Sequence, residues 1–252
     1  NGYDMMLSLV EDGNEERAYR ELKAKGSVDG IIVHSPKMED PRISLLAEIG
    51  LPFVVHGRAS NVTGDYSWLD VNNKRAFSRA TEFLFSLNHR RIALVNGQDT
   101  LVFAHRRRSG YMSAHEAAGI PVDTRLMFSD EMTEVQGYLS TREALDYNDP
   151  PTAFLAASMI SAIGVRRAVQ ERGLVVGKDV SIVIFDDELS YLRNGHDVPI
   201  FTATRSSVHY AGQRSAEMLL QLSQEPAGGP LQELLEVDLV VGQSSGPAPS
   251  KG

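Results

Sequence analysis

The chain alternates short apolar runs with longer segments in which apolar residues recur at helical spacing. Turn residues bound the apolar runs, which lie at residues 5–10, 30–33, 52–55, 91–95, 152–157, 180–185 and 237–241. Uninterrupted runs of this length are typical of parallel strands that are buried on both faces. Because they alternate with helical segments, the pattern predicts an α/β fold in which helices cover parallel sheets.

Two of the intervening segments carry a clear stripe of small or apolar residues at intervals of three and four positions, as on one face of a helix. The members of the first stripe are Ala76, Ala80, Phe83, Leu84 and Leu87. Those of the second are Val208, Ala211, Ser215, Leu219 and Leu222. Both segments are therefore predicted to be helices that pack on a sheet.

Composition narrows the function classes. The 252 residues are 42% hydrophobic, which is enough for a substantial core. With 25 basic and 33 acidic residues, the net charge of −8 argues against nucleic-acid binding by this segment itself. The chain has no cysteine and no apolar run long enough to span a membrane, so a cytoplasmic protein without disulfides is expected.

Several motifs occur in a characteristic order. Residues 88–97 (NHRRIALVNG) predict a helix end, a buried strand and a loop, and Arg107 and Gly110 follow shortly after. Further segments are 29–33 (DGIIV), 151–155 (PTAFL) and 179–187 (DVSIVIFDD). Together these segments span nearly the whole chain. In their order and spacing, they resemble the effector-binding core of the lactose/galactose repressor family, without its helix-turn-helix head.

The resemblance implies a fold of two similar, doubly wound parallel-sheet lobes, of the periplasmic binding protein type I, joined by a hinge that the chain crosses three times. The N-terminal lobe is expected at 1–88 plus 206–228, and the C-terminal lobe at 89–205 plus 229–252. The first strand and helix of the family's N-terminal lobe are missing here, and we expect them in the natural protein. The Ser/Pro/Gly-rich stretch from about 246 predicts a disordered tail.

The strongest candidates for ligand binding follow strands, where open α/β sheets hold their ligands. In the family, the arginine at the position of Arg107 reaches into the cleft, and its guanidinium can grip two hydroxyls. Arg106 and Arg108 fit a solvated helix face better. The resemblance also assigns a ligand role to Asp186, whose carboxylate can accept from neighbouring hydroxyls. Capping of the next helix is its alternative, and Asp187 is assigned to capping or to the hinge.

Two further candidates begin helices, so each could act only as an N-cap. Ser158 stands where the family often has the asparagine of an Asn-Asp pair, and Met159 replaces the aspartate. Asn73 matches an asparagine of the family, and its amide offers both a donor and an acceptor. Ligand contact and capping remain open for both residues.

Aromatic rings could stack on the apolar face of a sugar ring. Trp68 lies in a polar loop, and packing beneath that loop is its alternative role. Phe103 poses the same question from the C-terminal lobe. Met132 occupies a position where the family often carries an aromatic ring, which would alter the stacking platform.

His34 and Arg58 come shortly after strands of the N-terminal lobe, where both could donate to hydroxyls, although such residues are often turn or surface residues. The sequence contains no spacing of metal ligands, no nucleophile elbow and no phosphate- or dinucleotide-binding loop. We therefore expect neither an enzyme nor a metal site nor a cofactor.

The resulting hypothesis is a sugar-responsive transcriptional regulator whose effector, a neutral mono- or disaccharide, binds between the lobes. A homodimer is expected, because two heads that read a pseudo-palindromic operator require two-fold symmetry. Operator DNA would be bound only through the N-terminal head. The alternative is a periplasmic sugar-binding protein of a transporter, which has the same fold.

Overall fold

A computed structural model describes residues 2–11, 13–62, 64–186, 188–225 and 227–250. Its helices are α1 (Glu15–Lys25), α2 (Pro41–Ile49), α3 (Asn73–Ser86), α4 (Val102–Ala117), α5 (Glu134–Leu145), α6 (Met159–Glu171) and α7 (Val208–Gln224). Its strands are β1 (Ile31–His34), β2 (Phe53–His56), β3 (Trp68–Val71), β4 (Ile92–Asn96), β5 (Met127–Ser129), β6 (Ala153–Ala156), β7 (Ser181–Asp186), β8 (Thr202–Arg205), β9 (Gln232–Leu235) and β10 (Asp238–Val240).

The strands form two sheets. The first has the order β1-β2-β3-β9 and is parallel throughout. The second has the order β10-β8-β7-β6-β4-β5, in which only β10 runs antiparallel. We call the first sheet with α1, α2 and α7 the small lobe, and the second sheet with α3 to α6 the large lobe. The predicted fold class is confirmed.

Consecutive side chains of a strand point to opposite faces, so each sheet has a core on both sides. In the large lobe, Ile92 and Leu94 pack with the residues of α3, whereas Ala93 and Val95 pack with those of α6. In the small lobe, Val55 packs against the α2 side and Val54 against α7. This double burial explains the uninterrupted apolar runs of the sequence.

The lobe boundaries differ from the expected ones. The chain passes between the sheets after β3, after β8 and after β9, which gives the predicted three crossings. However, the boundary at residue 88 is wrong, because α3 buries Phe77 and Leu84 in the large-lobe core. The assignment of 229–252 to one lobe is also wrong, because β9 pairs with β3 of the small lobe.

The predicted strand at residues 5–10 is not formed. Met5 and Leu9 are 96% and 93% exposed, and the described part of this segment has no regular secondary structure. A strand needs a neighbouring strand for its backbone groups and a core for one face, and this segment has neither within the described residues. Apolar character alone therefore does not make it a strand.

The predicted disordered tail is wrong at its beginning. The Gly246 carbonyl accepts from His89 Nε2 at 3.0 Å, and the Gly246 amide donates to Ser181 Oγ at 3.0 Å. The Ala248 amide donates to the Leu87 carbonyl at 2.8 Å. Small residues allow the backbone of this segment to approach the large lobe closely, so it is attached there despite its composition.

His89 should make the folded state sensitive to acid. Its ring is fully buried, Nδ1 lies 2.8 Å from the Thr152 hydroxyl, and burial lowers the pKa of His89 from its ordinary value of 6.5. As the pH falls below about 6.5, the histidine of the unfolded chain binds a proton before the buried His89 of the folded chain does. The free energy of unfolding therefore decreases with falling pH, by up to about 1.4 kcal/mol per pH unit.

We expect His89→Gln to remove this part of the acid sensitivity, measured as the free energy of denaturant unfolding between pH 7.5 and about 5. The exposed His209 provides the control variant, His209→Gln. An identical pH slope in wild type and His89→Gln would contradict the assignment.

Candidate functional site

A cavity lies between the lobes at the carboxyl ends of the strands, as expected for parallel sheets. Residues at and after the carboxyl ends of β1, β2 and β3 line one wall, and residues of α4 line the other. Its free volume of about 180 Å³ is below the roughly 300–1,000 Å³ of common ligand pockets. A ligand the size of a disaccharide therefore requires the lobes to move apart.

A second depression is lined by charged residues that include Arg91, Arg125 and Asp149. It lies at the amino ends of β4 and β6, and its Arg91 already pairs with Asp123 and Asp149. The interlobe cavity is the better candidate, because ligands of such sheets bind beyond the carboxyl ends of the strands.

Arg107 is a buried and tightly held polar group of the cavity. It is 5% exposed; its Nε donates to Asn73 Oδ1 at 2.7 Å and its Nη1 to the Ala157 carbonyl at 2.7 Å. Its Cζ lies 3.9 Å from the centroid of the Phe185 ring and 4.9 Å from that of Phe103. These contacts hold the guanidinium in one orientation before any ligand arrives.

Asn73 connects the start of α3 to this arginine. Its amide nitrogen donates to the Val71 carbonyl at 3.0 Å, and it lines the cavity. The capping alternative is wrong, because Asn72 is the N-cap of α3 and its side chain accepts from the Arg75 amide. Asn73 is thus free of capping and instead orients Arg107.

Phe103 and Met132 both line the cavity on the large-lobe side. A Cβ atom at Gly97 would lie 3.2 Å from the Phe103 ring and 3.5 Å from Met132, so the absence of a side chain there lets both residues pack over β4. The structure thus brings Phe103, one of the predicted stacking residues, together with Met132, which occupies the position where the family often carries an aromatic ring.

The small-lobe wall contains Arg58 and His56. His34 was predicted to contact the ligand, but among the described residues the cavity is lined by His56 and not by His34. His34 is an exposed residue beside His56, with the two Nδ1 atoms 3.2 Å apart. Burial lowers the pKa of both His34 and His56. Sequence reasoning missed His56, although it directly precedes the glycine and arginine that follow β2.

Trp68 is not in a loop but is the first residue of β3, paired with Val55 and Gln232. It packs against the small-lobe core, and the Arg58 Cζ lies 4.7 Å from its ring centroid. The residues that line the cavity do not include it. Trp68 is therefore placed to support Arg58 rather than to face a ligand directly.

Ser158 and Asp186 do not line this cavity either. Ser158 is the N-cap of α6, since its Oγ accepts from the Ser161 amide at 3.1 Å. Asp186 ends β7, is 4% exposed, and accepts from the Glu188 amide at 2.9 Å. A ligand role for each stays a prediction. Asp187 lies outside the described residues.

Arg106 was predicted to lie on a solvated helix face, and this prediction is wrong. Its Nη1 lies 2.5 Å from Oδ2 of Asp70, and its side chain is only 17% exposed. The reason is that this face of α4 meets the end of β3 from the other lobe. Arg108 does lie on an exposed face, paired with Asp99.

Asp70 is the acidic residue of the cavity that sequence reasoning missed. Burial raises the pKa of Asp70, although Arg106 and Arg58 nearby act in the opposite direction. A signal was present in the sequence, since a charged residue between Leu69 and Val71 in a short buried segment is unusual unless it has a partner.

This architecture defines a periplasmic-binding-protein-like core with a cleft between its lobes. The family model of the periplasmic binding protein-like domain matches residues 81–245. The chain is 40% identical to the HTH-type transcriptional regulator AglR of Rhizobium meliloti (strain 1021), over 99% of this chain and 70% of that protein.

Solved structures give the same result. A regulatory protein of the LacI family from Chloroflexus aggregans superposes with a TM-score of 0.81 at 31% identity, covering 94% of this chain and 84% of that one. The complex of the transcriptional regulator CelR with cellobiose gives a TM-score of 0.82 at 29% identity, covering 92% and 71%. The chain belongs to the lactose/galactose repressor (LacI) family of transcriptional regulators.

The predicted resemblance is thereby confirmed, and the regulator hypothesis is supported over the transport-protein alternative. Within the described residues, no helix combines the length and the apolar character needed to cross a membrane. The same part of the chain has no cluster of three or more His, Asp or Glu side chains arranged to hold a metal ion.

Proposed function

We propose that this chain is the effector-binding core of a sugar-responsive regulator, in which a neutral mono- or disaccharide binds between the lobes. The observation that carries the proposal is the constrained guanidinium of Arg107 at the cavity, with aromatic rings beside it and Asn73 beneath it. Fixed donors combined with aromatic surface suit the hydroxyls and apolar faces of sugars. The CelR structure contains cellobiose.

Binding would change the angle between the lobes. The small cavity volume supports this, because a large ligand does not fit in the present arrangement, and we expect occupied and empty forms to differ in hinge angle. DNA recognition would lie in a helix-turn-helix segment outside these 252 residues, consistent with their net charge of −8 and with the HTH-type description of AglR. The expected site of action is the cytoplasm.

Thermal unfolding against a panel of glucose, ribose, lactose, cellobiose and glucose 6-phosphate at millimolar concentration tests the proposal. A sugar present at about 100 times its Kd should stabilise the folded state by roughly 2.7 kcal/mol, which raises the Tm by several degrees. A neutral sugar that gives this shift supports the proposal. A shift with the phosphate alone, or with none of the five, contradicts it.

The second part of the proposal is a homodimer that uses a face of the large lobe. Helices α5 and α6 pack closely and carry exposed apolar side chains, among them Val135 (57% exposed) and Leu139 (56%) on α5, and Ile160 (37%) and Ile163 (39%) on α6. Exposed apolar patches mark interaction sites. Two DNA-reading heads that bind one pseudo-palindromic site also require two chains related by two-fold symmetry. A second copy of this chain is therefore the proposed occupant.

Leu139→Glu combined with Ile163→Glu is expected to convert the dimer to a monomer, because each buried interface would then contain four unpaired carboxylates. Sedimentation equilibrium at micromolar concentration measures the mass. Met112→Glu, at an exposed apolar position of α4, is the matched control and should remain dimeric. A monomeric wild type, or a dimer that survives the double substitution, would rule out this face.

A further inference from the structure

The Asp70–Arg106 ion pair joins the two lobes across the cleft. Asp70 lies in β3 of the small lobe and Arg106 in α4 of the large lobe, with 2.5 Å between Nη1 and Oδ2. Both side chains line the cavity, and their exposed fractions are 4% and 17%. A ligand that enters between the lobes must therefore meet this pair.

The pair is incompletely satisfied. Burial raises the pKa of Asp70 and lowers the pKa of Arg106, so both groups lose hydration. Desolvated ion pairs are stable only if further hydrogen bonds use their remaining donors and acceptors. A carboxylate has about four acceptor sites, and among the described residues Asp70 receives hydrogen bonds from Arg106 and from the Val71 backbone. Acceptor capacity remains.

Arg58 supplies an independent observation. Its Nε atom is buried and has no hydrogen-bond partner among the described residues, although it lies 3.8 Å from Asp70 Oδ2. The Trp68 ring, 4.7 Å from its Cζ, holds the guanidinium in place. A buried donor without a partner requires an explanation, and an oxygen atom of a ligand beside Asp70 would provide that partner.

We propose, on the basis of the function proposed above, that Asp70 and Arg58, with Arg106, form a specificity-determining subsite that recognises one hydroxyl group of the saccharide. The hydroxyl donates its proton to the carboxylate of Asp70 and accepts from Nε of Arg58. One hydroxyl has one donor and two acceptor positions, which matches this pair of groups. Asp70 and Arg58 lie on the small-lobe wall, whereas Arg106, like Arg107, belongs to α4 of the large lobe.

Calorimetric titration with monodeoxy analogues tests the subsite. The parent is the sugar of the panel that binds the wild type, and each analogue lacks one of its hydroxyls. In the wild type, loss of the recognised hydroxyl should weaken binding about tenfold or more, because hydrogen bonds to charged groups are strong. In Asp70→Asn, the same analogue should bind within about twofold of its parent.

A merely structural role for Asp70 would weaken the parent and all analogues alike and would leave their ratio unchanged, which overturns the proposal. Arg58→Lys should reduce the same ratio through the donor side, and it provides a second variant if Asp70→Asn does not fold. Asp99→Asn is the control. It removes a carboxylate that pairs with Arg108, which lies in α4 as Arg106 does, and it should keep the wild-type ratio. If the wild type binds no sugar of the panel, the proposed function and this subsite both fall.

Discussion

Arg107→Ala is expected to lower the affinity for the effector by at least about 100-fold. The guanidinium is held by Asn73 and the Ala157 carbonyl and stacks on Phe185, so its orientation at the cavity is set in advance. Each hydrogen bond from a charged donor contributes about 1.5–3 kcal/mol, and a factor of ten corresponds to about 1.4 kcal/mol. Calorimetric titration with the sugar found in the panel measures the loss.

The neighbouring Arg108→Ala is the matched control, since it removes the same kind of side chain from an exposed position of α4. It should leave the affinity within about twofold of the wild type. Arg107→Lys keeps the charge but not the planar fork, so we expect most of the loss to remain. Wild-type affinity in Arg107→Ala, with a native circular dichroism spectrum, would remove Arg107 from the site.

Gly110→Ala is expected to destabilise the protein by about 3 kcal/mol, at the upper end of the usual cost of overpacking, because α3 and α4 cross where Gly110 has no side chain. A Cβ atom there would lie 2.0 Å from the Lys74 carbonyl oxygen and 2.9 Å from its carbon, both of which are backbone atoms that cannot rotate away. The helices would have to separate, with loss of the core around Phe77. Urea unfolding measures the change in free energy.

Gly212→Ala provides the control within another helix, α7, where a new Cβ meets no atom within 4 Å. Since alanine favours helices over glycine, this variant should be as stable as the wild type or more stable by up to about 1 kcal/mol. Equal stability of Gly110→Ala and the wild type would show that α3 and α4 are not packed this closely.

The sequence predicted the α/β class and much of the cavity wall, for physical reasons. Burial on both faces of parallel strands produces apolar runs that can be read directly, as at residues 91–95. The carboxyl ends of parallel strands meet at one edge of a sheet, so residues that follow strands were predicted to lie near one another. The structure places five of these candidates around one cavity: Arg107, Asn73, Phe103, Met132 and Arg58.

The sequence-based predictions failed where they depended on which secondary-structure elements pack against each other. Helical periodicity shows that one face of α3 is buried, but not that the large lobe buries it. Likewise, Arg106 lies among basic residues that are typical of a solvated helix face. It pairs with Asp70 only because β3 of the other lobe approaches this face. Composition predicted a disordered tail at Gly246, whereas a buried histidine binds its backbone.

Arg106 and Arg107 are consecutive in α4, so their side chains leave the helix about 100° apart. One reaches the small lobe and the other the core beside Phe185, while Gly110 fixes the helix against α3. New effector preferences in descendants of this chain must therefore arise by exchanging side chains, because the helix cannot slide to accommodate them. Substitutions at the two positions should be epistatic, and the order in which they accumulate should restrict which specificities evolution can reach.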